Sequence, residues 1–259
     1  MIKVVVGGAT GKLGRLVCEQ ILADPELELT AAVVSATGGN VGKELWPNIV
    51  AVSPDRLEEV LTDADVYVDL TTPQAASENV LRVPATGTNL VIGTTAIPQK
   101  VLDDLAKATA DNGISVLVSA NFALGVNLFW KACEMLASKL PDYDFEIIEM
   151  HHNQKKDAPS GTAIKAAEAV QRAAGPMELR HGREGVTGPR GKEIGVHAIR
   201  AGDIVGEHTL IIAGNMECLE LTHRAISREA FARGCLESIR WIAGRKDGRM
   251  HGMNEVLGI

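Results

Sequence analysis

The chain has 259 residues, 46% hydrophobic and 23% charged, the mix of a packed soluble protein with one large domain or two ordinary ones. Lys and Arg number 26 against 33 Asp and Glu, a net charge of −7; this argues against wrapping nucleic acid, which needs a basic face, but leaves room for a small anion held by local cations. Aromatics are 3%, so the core must be aliphatic. No run reaches the ~18–20 apolar residues of a bilayer span, and Met1-Ile2-Lys3-Val4-Val5-Val6 lacks the features of an export signal. The cysteines, Cys18, Cys133, Cys218 and Cys235, show no CxxC spacing. They read as small hydrophobes in a reducing compartment, so a cytoplasmic location is expected, with no membrane partner and no zinc site.

In chain order, Ile2–Val6 reads as a buried strand leading into a Gly-rich turn. Lys12–Leu22 has the helical apolar spacing Leu13, Leu16, Val17, Ile21, Leu22. Leu27–Val34 and Val66–Leu70 read as strands, the latter ending at Thr71-Thr72-Pro73. Asn89–Ile92 is a strand ending at Gly93-Thr94-Thr95, Val101–Ala110 a helix and Ile114–Val118 a strand. This alternation predicts βαβ units, a parallel sheet and helices on both faces. After about Asn121 the pattern changes. Val126–Leu140 is a long helix, Asp144–Met150 a strand, and Ala163–Ala174 a helix stopped by Gly175-Pro176. Gly182–Gly191 is a Gly- and charge-rich loop expected to be mobile. Ile194–Ile199, Glu207–Ala213 and Cys218–Arg224 are strands of an antiparallel or mixed sheet, and Ser227–Ala243 is a last helix. The fold class expected is α/β: a Rossmann-type parallel-sheet domain followed by a smaller α+β domain.

Gly8-Ala9-Thr10-Gly11-Lys12-Leu13-Gly14 lies between the first strand and the first helix. Its GxxGxxG spacing is related to the dinucleotide-binding GxGxxG. That chemistry needs a tight turn, backbone without Cβ beside a pyrophosphate, and a helix N-terminus facing the charge. A purely structural glycine turn is the plainer alternative. A P-loop fails, because Val6 and Leu13 stand where it needs Gly and Ser or Thr. The second strand ends in Val33-Val34-Ser35-Ala36-Thr37, with neither the acidic residue that reads a ribose 2′-hydroxyl nor an Arg for a 2′-phosphate. The missing carboxylate and the hydroxyls of Ser35 and Thr37 tilt the reading slightly to NADPH, with NADH open. Thr71 and Gly93–Thr95 belong to small, hydroxyl-rich strand ends where a cofactor could approach.

The segment His151-His152-Asn153-Gln154-Lys155-Lys156-Asp157-Ala158-Pro159-Ser160-Gly161-Thr162 follows a strand and enters a helix. The histidines titrate near neutrality, the lysines supply cations, and Ser160-Gly161-Thr162 offers free N–H groups and hydroxyls to a carboxylate or phosphate. A helix start capped by Ser160 with a solvated His/Lys loop is the competing reading. Zinc lacks a third ligand and the HExxH arrangement.

HHNQKKDAPSGTA resembles the H-H-x-x-K-x-D-x-P-S-G-T signature of the 4-hydroxy-tetrahydrodipicolinate reductase (dihydrodipicolinate reductase) family of lysine and diaminopimelate biosynthesis. The likeness extends over the chain. Val6–Gly14 resembles the family's V-x-G-A-x-G-R-M-G turn. Gly93-Thr94-Thr95 and Ser119-Ala120-Asn121-Phe122 are similar to its cofactor loops. Arg200–Thr209 matches R-x-G-x-x-x-G-E-H, and Thr222–Phe231 matches T-H-x-A-x-S-R-x-x-F. The resemblance implies that His151 is the general acid and Lys155 catalytic. It also implies that His152, Ser160, Gly161 and Thr162 bind the carboxylates of a small dicarboxylate, with Arg228 near that site. It implies NADPH or NADH at the Gly8–Leu13 turn and the two cofactor loops. It implies a Rossmann-type domain over 1–123, to which 229–259 returns, and an open mixed sheet over 124–228 that binds substrate and builds a homotetramer. Val34 and Ser35 stand where the family has an acidic–Arg pair, so its adenosine contacts do not carry over. Ala96 and Leu70 also depart from its pattern.

Two rival functions fit the sequence less well. A semialdehyde dehydrogenase would need a nucleophilic Cys with a base, and Cys133 lies within a helical pattern. A dinucleotide-sensing regulator would keep Gly8–Gly14 but has no need of His151, Lys155 and Ser160–Thr162 together.

Overall fold

The computed structural model describes all 259 residues. They divide into two units, Met1–Leu124 with Glu229–Ile259, and Gly125–Arg228. In the first, β1 (Ile2–Gly7), β2 (Leu27–Val33), β3 (Glu44–Trp46), β4 (Ile49–Val52), β5 (Val66–Asp69), β6 (Asn89–Ile92) and β7 (Val116–Val118) alternate with α1 (Lys12–Leu22), α2 (Leu57–Leu61), α3 (Pro73–Asn79) and α4 (Gln99–Asn112). The order across the sheet, completed by a later strand at the β7 edge, is β7-β6-β5-β1-β2-β4-β3. Every pairing is parallel except β3 with β4. Val4, Val5 and Val6 are fully buried, because helices cover both faces of a parallel sheet and β-branched side chains suit that pleat. Val4 and Val6 pack with Val17 and Ile21 of α1 on one face. Val5 turns to the other, with Leu57 and Leu61 of α2 and Leu105 of α4.

The parallel strands share one direction. The segments following β1, β2, β5, β6 and β7 therefore stand along one sheet edge, the carboxyl edge where such sheets bind ligands. The β3–β4 hairpin is not legible in the sequence. Its strands have three and four residues and turn through Asn48 at φ 65°.

The second unit contains α5 (Leu124–Lys139, whose first residue belongs to the first unit), β8 (Asp144–His151), α6 (Gly161–Ala174), β9 (Glu178–Arg180), β10 (Glu193–Arg200), β11 (Gly206–Gly214) and β12 (Glu217–Ala225). Its sheet has the order β12-β11-β8-β10-β9, with β10 parallel to β8 and β9, and β11 antiparallel to β8 and β12. One face packs Phe145, Ile147, Leu210 and Ile212 against α5 and α6. The loop at 182–191 is irregular, but Arg183 pairs with Glu146 and Glu193, and Arg190 with Asp144 and Glu146. Burial opposes ionisation of Glu146, yet Arg183, His197 and Arg190 hold its carboxyl down at about 2.

The chain then returns to the first unit as α7 (Glu229–Ala243), β13 (Met250–His251) and α8 (Met253–Leu257). β13 extends the sheet parallel to β7. Buried Asn89 donates Nδ2 to Ile242 O at 2.7 Å and Arg245 O at 2.9 Å, closing the end of α7. No helix is long and apolar enough to cross a membrane.

Candidate active site

The glycine turn after β1 is made by exclusion of side chains. Gly8 has φ +76°, and a Cβ there would sit 2.3 Å from Leu70 O; one on Gly14 would sit 2.2 Å from Gly8 O. The first glycine thus seats the turn against the end of β5, and the last lets α1 pack onto the turn. Gly11 is the N-cap of α1. No side chain caps this helix, and no acidic residue stands in its first turn, so its end is open to an anion.

A groove of about 640 Å³ opens beside the turn. Gly8, Thr10, Gly11, Ser35 and Thr71 line it, together with Val34, Leu70 and the α3 residues Gln74 and Glu78. Glu78 is the one ionisable side chain among the lining residues, and no cation joins them. Ser35 and Thr37 share a hydroxyl contact of 3.2 Å. Ala9 and Phe122 are core residues, Leu13 packs against that core, and Lys12 is exposed. Gly93, Thr94 and Thr95 follow β6, and Ser119, Ala120 and Asn121 follow β7, outside the groove lining. A Cβ on Gly93 would meet Phe122 at 2.5 Å and Leu70 at 2.6 Å. Fully buried Asp69, at the end of β5, accepts from Thr71 Oγ1 at 2.8 Å and Thr94 Oγ1 at 2.6 Å, joining two of the strand ends. The geometry fits a dinucleotide: a cradle without Cβ atoms, an uncapped helix start and a groove beside them.

The second cluster grows from β8. Its inward face runs Phe145, Ile147, Glu149, His151, all buried. It passes from apolar to ionisable over the last two positions. Glu149 is fully buried and accepts four hydrogen bonds. Arg200 supplies two, at 2.8 and 2.7 Å, the Ser160 N–H one at 3.0 Å and His151 Nδ1 one at 2.6 Å. Burial works against ionising Glu149, but Arg200, His151 and the Ser160 N–H outweigh it and hold its carboxyl below the usual range. His151 pairs across the sheet with Arg200, and Glu149 with His208. Burial pulls His151 below its ordinary 6.5, and the Glu149 carboxylate offsets this only in part. His208 is pushed down to about 3 by burial first and then by its neighbour His151. It meets His151 edge-on at 5.1 Å and lies 3.0 Å from Ser160 Oγ.

Lys155 donates to both oxygens of Asp157 at 2.9 Å. Arg228 donates to His152 Nε2 at 3.2 Å. Ser160 caps α6, its Oγ accepting from Ala163 N at 3.2 Å, so the cap reading and the anion reading describe the same turn. The Ser160 hydroxyl and N–H are both engaged. Gly161 is exposed, a Cβ there would meet nothing within 4 Å, and Thr162 is half-buried. All seven predicted catalytic and substrate residues lie in the second unit, His151 to Thr162 along one strand–loop–helix stretch.

The sequence alone assigns no role to Glu149, Arg200, Asp157 or His208. Asp157 stands within the polar segment, and Arg200 and His208 within a motif that matches the family. The available signal is alternation: Phe145 and Ile147 mark the buried face, so Glu149 has to be a buried carboxylate needing partners.

Residues 2–122 match the family described as "Dihydrodipicolinate reductase, N-terminus", and residues 125–257 the one described as "Dihydrodipicolinate reductase, C-terminus". The 4-hydroxy-tetrahydrodipicolinate reductase of Methanocaldococcus jannaschii is 44% identical, covering 100% of this chain and 98% of the relative. That of Methanosarcina mazei is 42% identical, covering 100% of both. A solved dipicolinate-bound dihydrodipicolinate reductase from Paenisporosarcina sp. TG-14 matches with a TM-score of 0.83 at 28% identity, over 97% of each chain. The chain belongs to the dihydrodipicolinate reductase family, and is an oxidoreductase.

Proposed function

We propose that the chain reduces 4-hydroxy-tetrahydrodipicolinate to tetrahydrodipicolinate, with loss of water, at the expense of NADPH or NADH, in lysine and diaminopimelate biosynthesis. The observation that carries the reading is the convergence of His151, Lys155, Arg228 and the first turn of α6 in one unit of an acidic protein, together with the names of full-length relatives. A bound reduced nicotinamide supplies the hydride. Gly8 to Leu13 would hold its pyrophosphate through the turn leading into α1, Ser35 and Thr71 line the groove beside them, and Gly93–Thr95 and Ser119–Phe122 would complete the site along the carboxyl edge. No carboxylate ends β2 to repel a 2′-phosphate, which favours NADPH slightly; no cation lines the groove to demand one.

Loss of the 4-hydroxyl as water leaves a conjugated ring imine. Hydride addition to that conjugated system pushes electron density toward the ring nitrogen, where Lys155 offsets it, or lends a proton that the nitrogen returns to Lys155 when the ring carbon is protonated. Lys155 exchanges Asp157 for the substrate in doing so. His151 delivers a proton to ring carbon from Nε2 as the reduced ring tautomerises. The N–H groups of Gly161 and Thr162 hold one carboxylate, with Ser160 shaping that turn, and His152 and Arg228 face the substrate's remaining charge.

The decisive test is absorbance-monitored oxidation of NADPH and NADH on adding freshly prepared 4-hydroxy-tetrahydrodipicolinate. Turnover is expected, and the ratio of the two kcat/KM values ranks the cofactors. Cofactor binding without turnover would overturn the role given to residues 151–162. The outward face of the second sheet carries half-buried Ile148, Met150 and Ile211 and exposed Ile199, and we assign it to contacts in a homotetramer. Light scattering showing a monomer would remove that assignment.

A further inference from the structure

The carboxylate at the core of the second cluster has no part in the reaction as described. Glu149 is fully buried, and an ionised carboxylate there is costly unless each oxygen is satisfied. Both are. Oε1 accepts from Arg200 and the Ser160 N–H, and Oε2 from Arg200 and His151 Nδ1. Arg200 is itself committed, donating also to Asp157 O at 2.6 Å and Ile199 O at 2.7 Å.

An ionised carboxylate can only accept. The proton on His151 Nδ1 is therefore set by Glu149 whether the ring is neutral or charged. Nε2 is left as the one ring atom whose protonation changes. It points to the space beside Gly206, where a Cβ would lie 3.1 Å away. We infer that Glu149 is a positioning residue for the reaction: braced by Arg200, it fixes the tautomer and orientation of His151 so that Nε2 carries the transferred proton. The inference rests on the reading of His151 as proton donor. The charged and titratable groups facing His151 are Glu149 on its own strand, Arg200 on β10, His208 on β11 and Lys155 in the following loop. His208 is neutral throughout the working range, since burial brings it down to about 3. Glu149 is the one anion of the set and the group able to stabilise an imidazolium.

The test is Glu149→Gln. Glutamine keeps the shape and an acceptor for Arg200, but its amide can donate to Nδ1 and so force the proton onto Nε2 of the neutral ring. We expect ¹⁵N-detected imidazole spectra to show the neutral tautomer switching. We also expect kcat to fall at least ~10²-fold, toward the ~10⁴-fold known for a carboxylate–histidine pair given the wrong tautomer. The affinity for reduced cofactor should stay unchanged, and the pH profile of kcat/KM should shift. A merely structural Glu149 would lower stability and leave the tautomer and pH profile where they were. His151→Gln is measured beside it. If that variant keeps full kcat, the role of His151 falls and the inference with it. If it is crippled while Glu149→Gln keeps its tautomer and pH profile, the inference alone falls. Should Glu149→Gln fail to fold, the wild-type spectrum decides: neutral His151 must carry its proton on Nδ1, and finding it on Nε2 overturns the inference.

Discussion

Two strand-to-helix connections do the work assigned here, and they are built on opposite principles. Between β1 and α1 the turn works by leaving side chains out: Cβ atoms at Gly8 and Gly14 would strike backbone carbonyls at 2.3 and 2.2 Å. Between β8 and α6 the connection works by gathering ionisable side chains: Glu149, fully buried at the end of an apolar face, holds His151, while Asp157 holds Lys155 and Arg228 meets His152. Each ends at a helix N-terminus without acidic residues in its first turn. The helix start supplies a general preference for anions. What surrounds it decides between cradling a ligand on backbone and handling protons on side chains.

The sharpest way to break this comparison is a side chain at Gly14. Gly14→Val should destabilise the first unit by more than about 3 kcal/mol, the upper end of ordinary substitutions, and abolish cofactor binding. Gly161→Ala, at the other helix start, has nothing within 4 Å of its new Cβ. It should change stability by no more than ~0.5 kcal/mol while raising KM for the substrate. Denaturant titration of both variants checks the contrast; equal losses would erase it.

Next in size, Lys155→Ala should lower kcat by roughly 10²–10³-fold, the scale of losing one electrostatic stabiliser. Cofactor affinity should not move, since Lys155 is not among the residues lining the groove beside the glycine turn. Unchanged kcat would remove Lys155 from the chemistry.

The smallest effect is in the pH profile. Burial holds His151 below 6.5, and a proton donor must be charged to act. In the free enzyme kcat/KM should therefore fall as pH rises through a value below 6.5. A bound dianion favours the imidazolium, so the fall in kcat should come at higher pH. Coincident profiles, or a rise with pH, would contradict a proton-donating His151.

Much of the architecture is legible because it is local. Val4-Val5-Val6 followed by Gly8 and the spacing of Leu16, Val17 and Ile21 mark β1, the turn and α1, and the patterns for β8 and α6 agree with the structure to within a few residues. The β3–β4 hairpin and β13 are not read from the sequence: Glu44-Leu45-Trp46 and Met250-His251 are not the continuous apolar runs that mark β5, β6 and β7, and they acquire strand geometry by pairing. In the candidate site the same division holds. His151, Lys155 and Ser160–Thr162 stand out by type and spacing within 12 residues. Two of the groups facing His151 do not, because Arg200 and His208 lie about 50 residues away and reach it only through the pairing of β8 with β10 and β11. Sequence by itself determined the elements, the glycine turn and the chemistry-bearing segment, since each depends on neighbours along the chain. Tertiary structure alone decided which groups share a buried carboxylate and which nitrogen of His151 is free, because sheet register, not chain order, sets those distances.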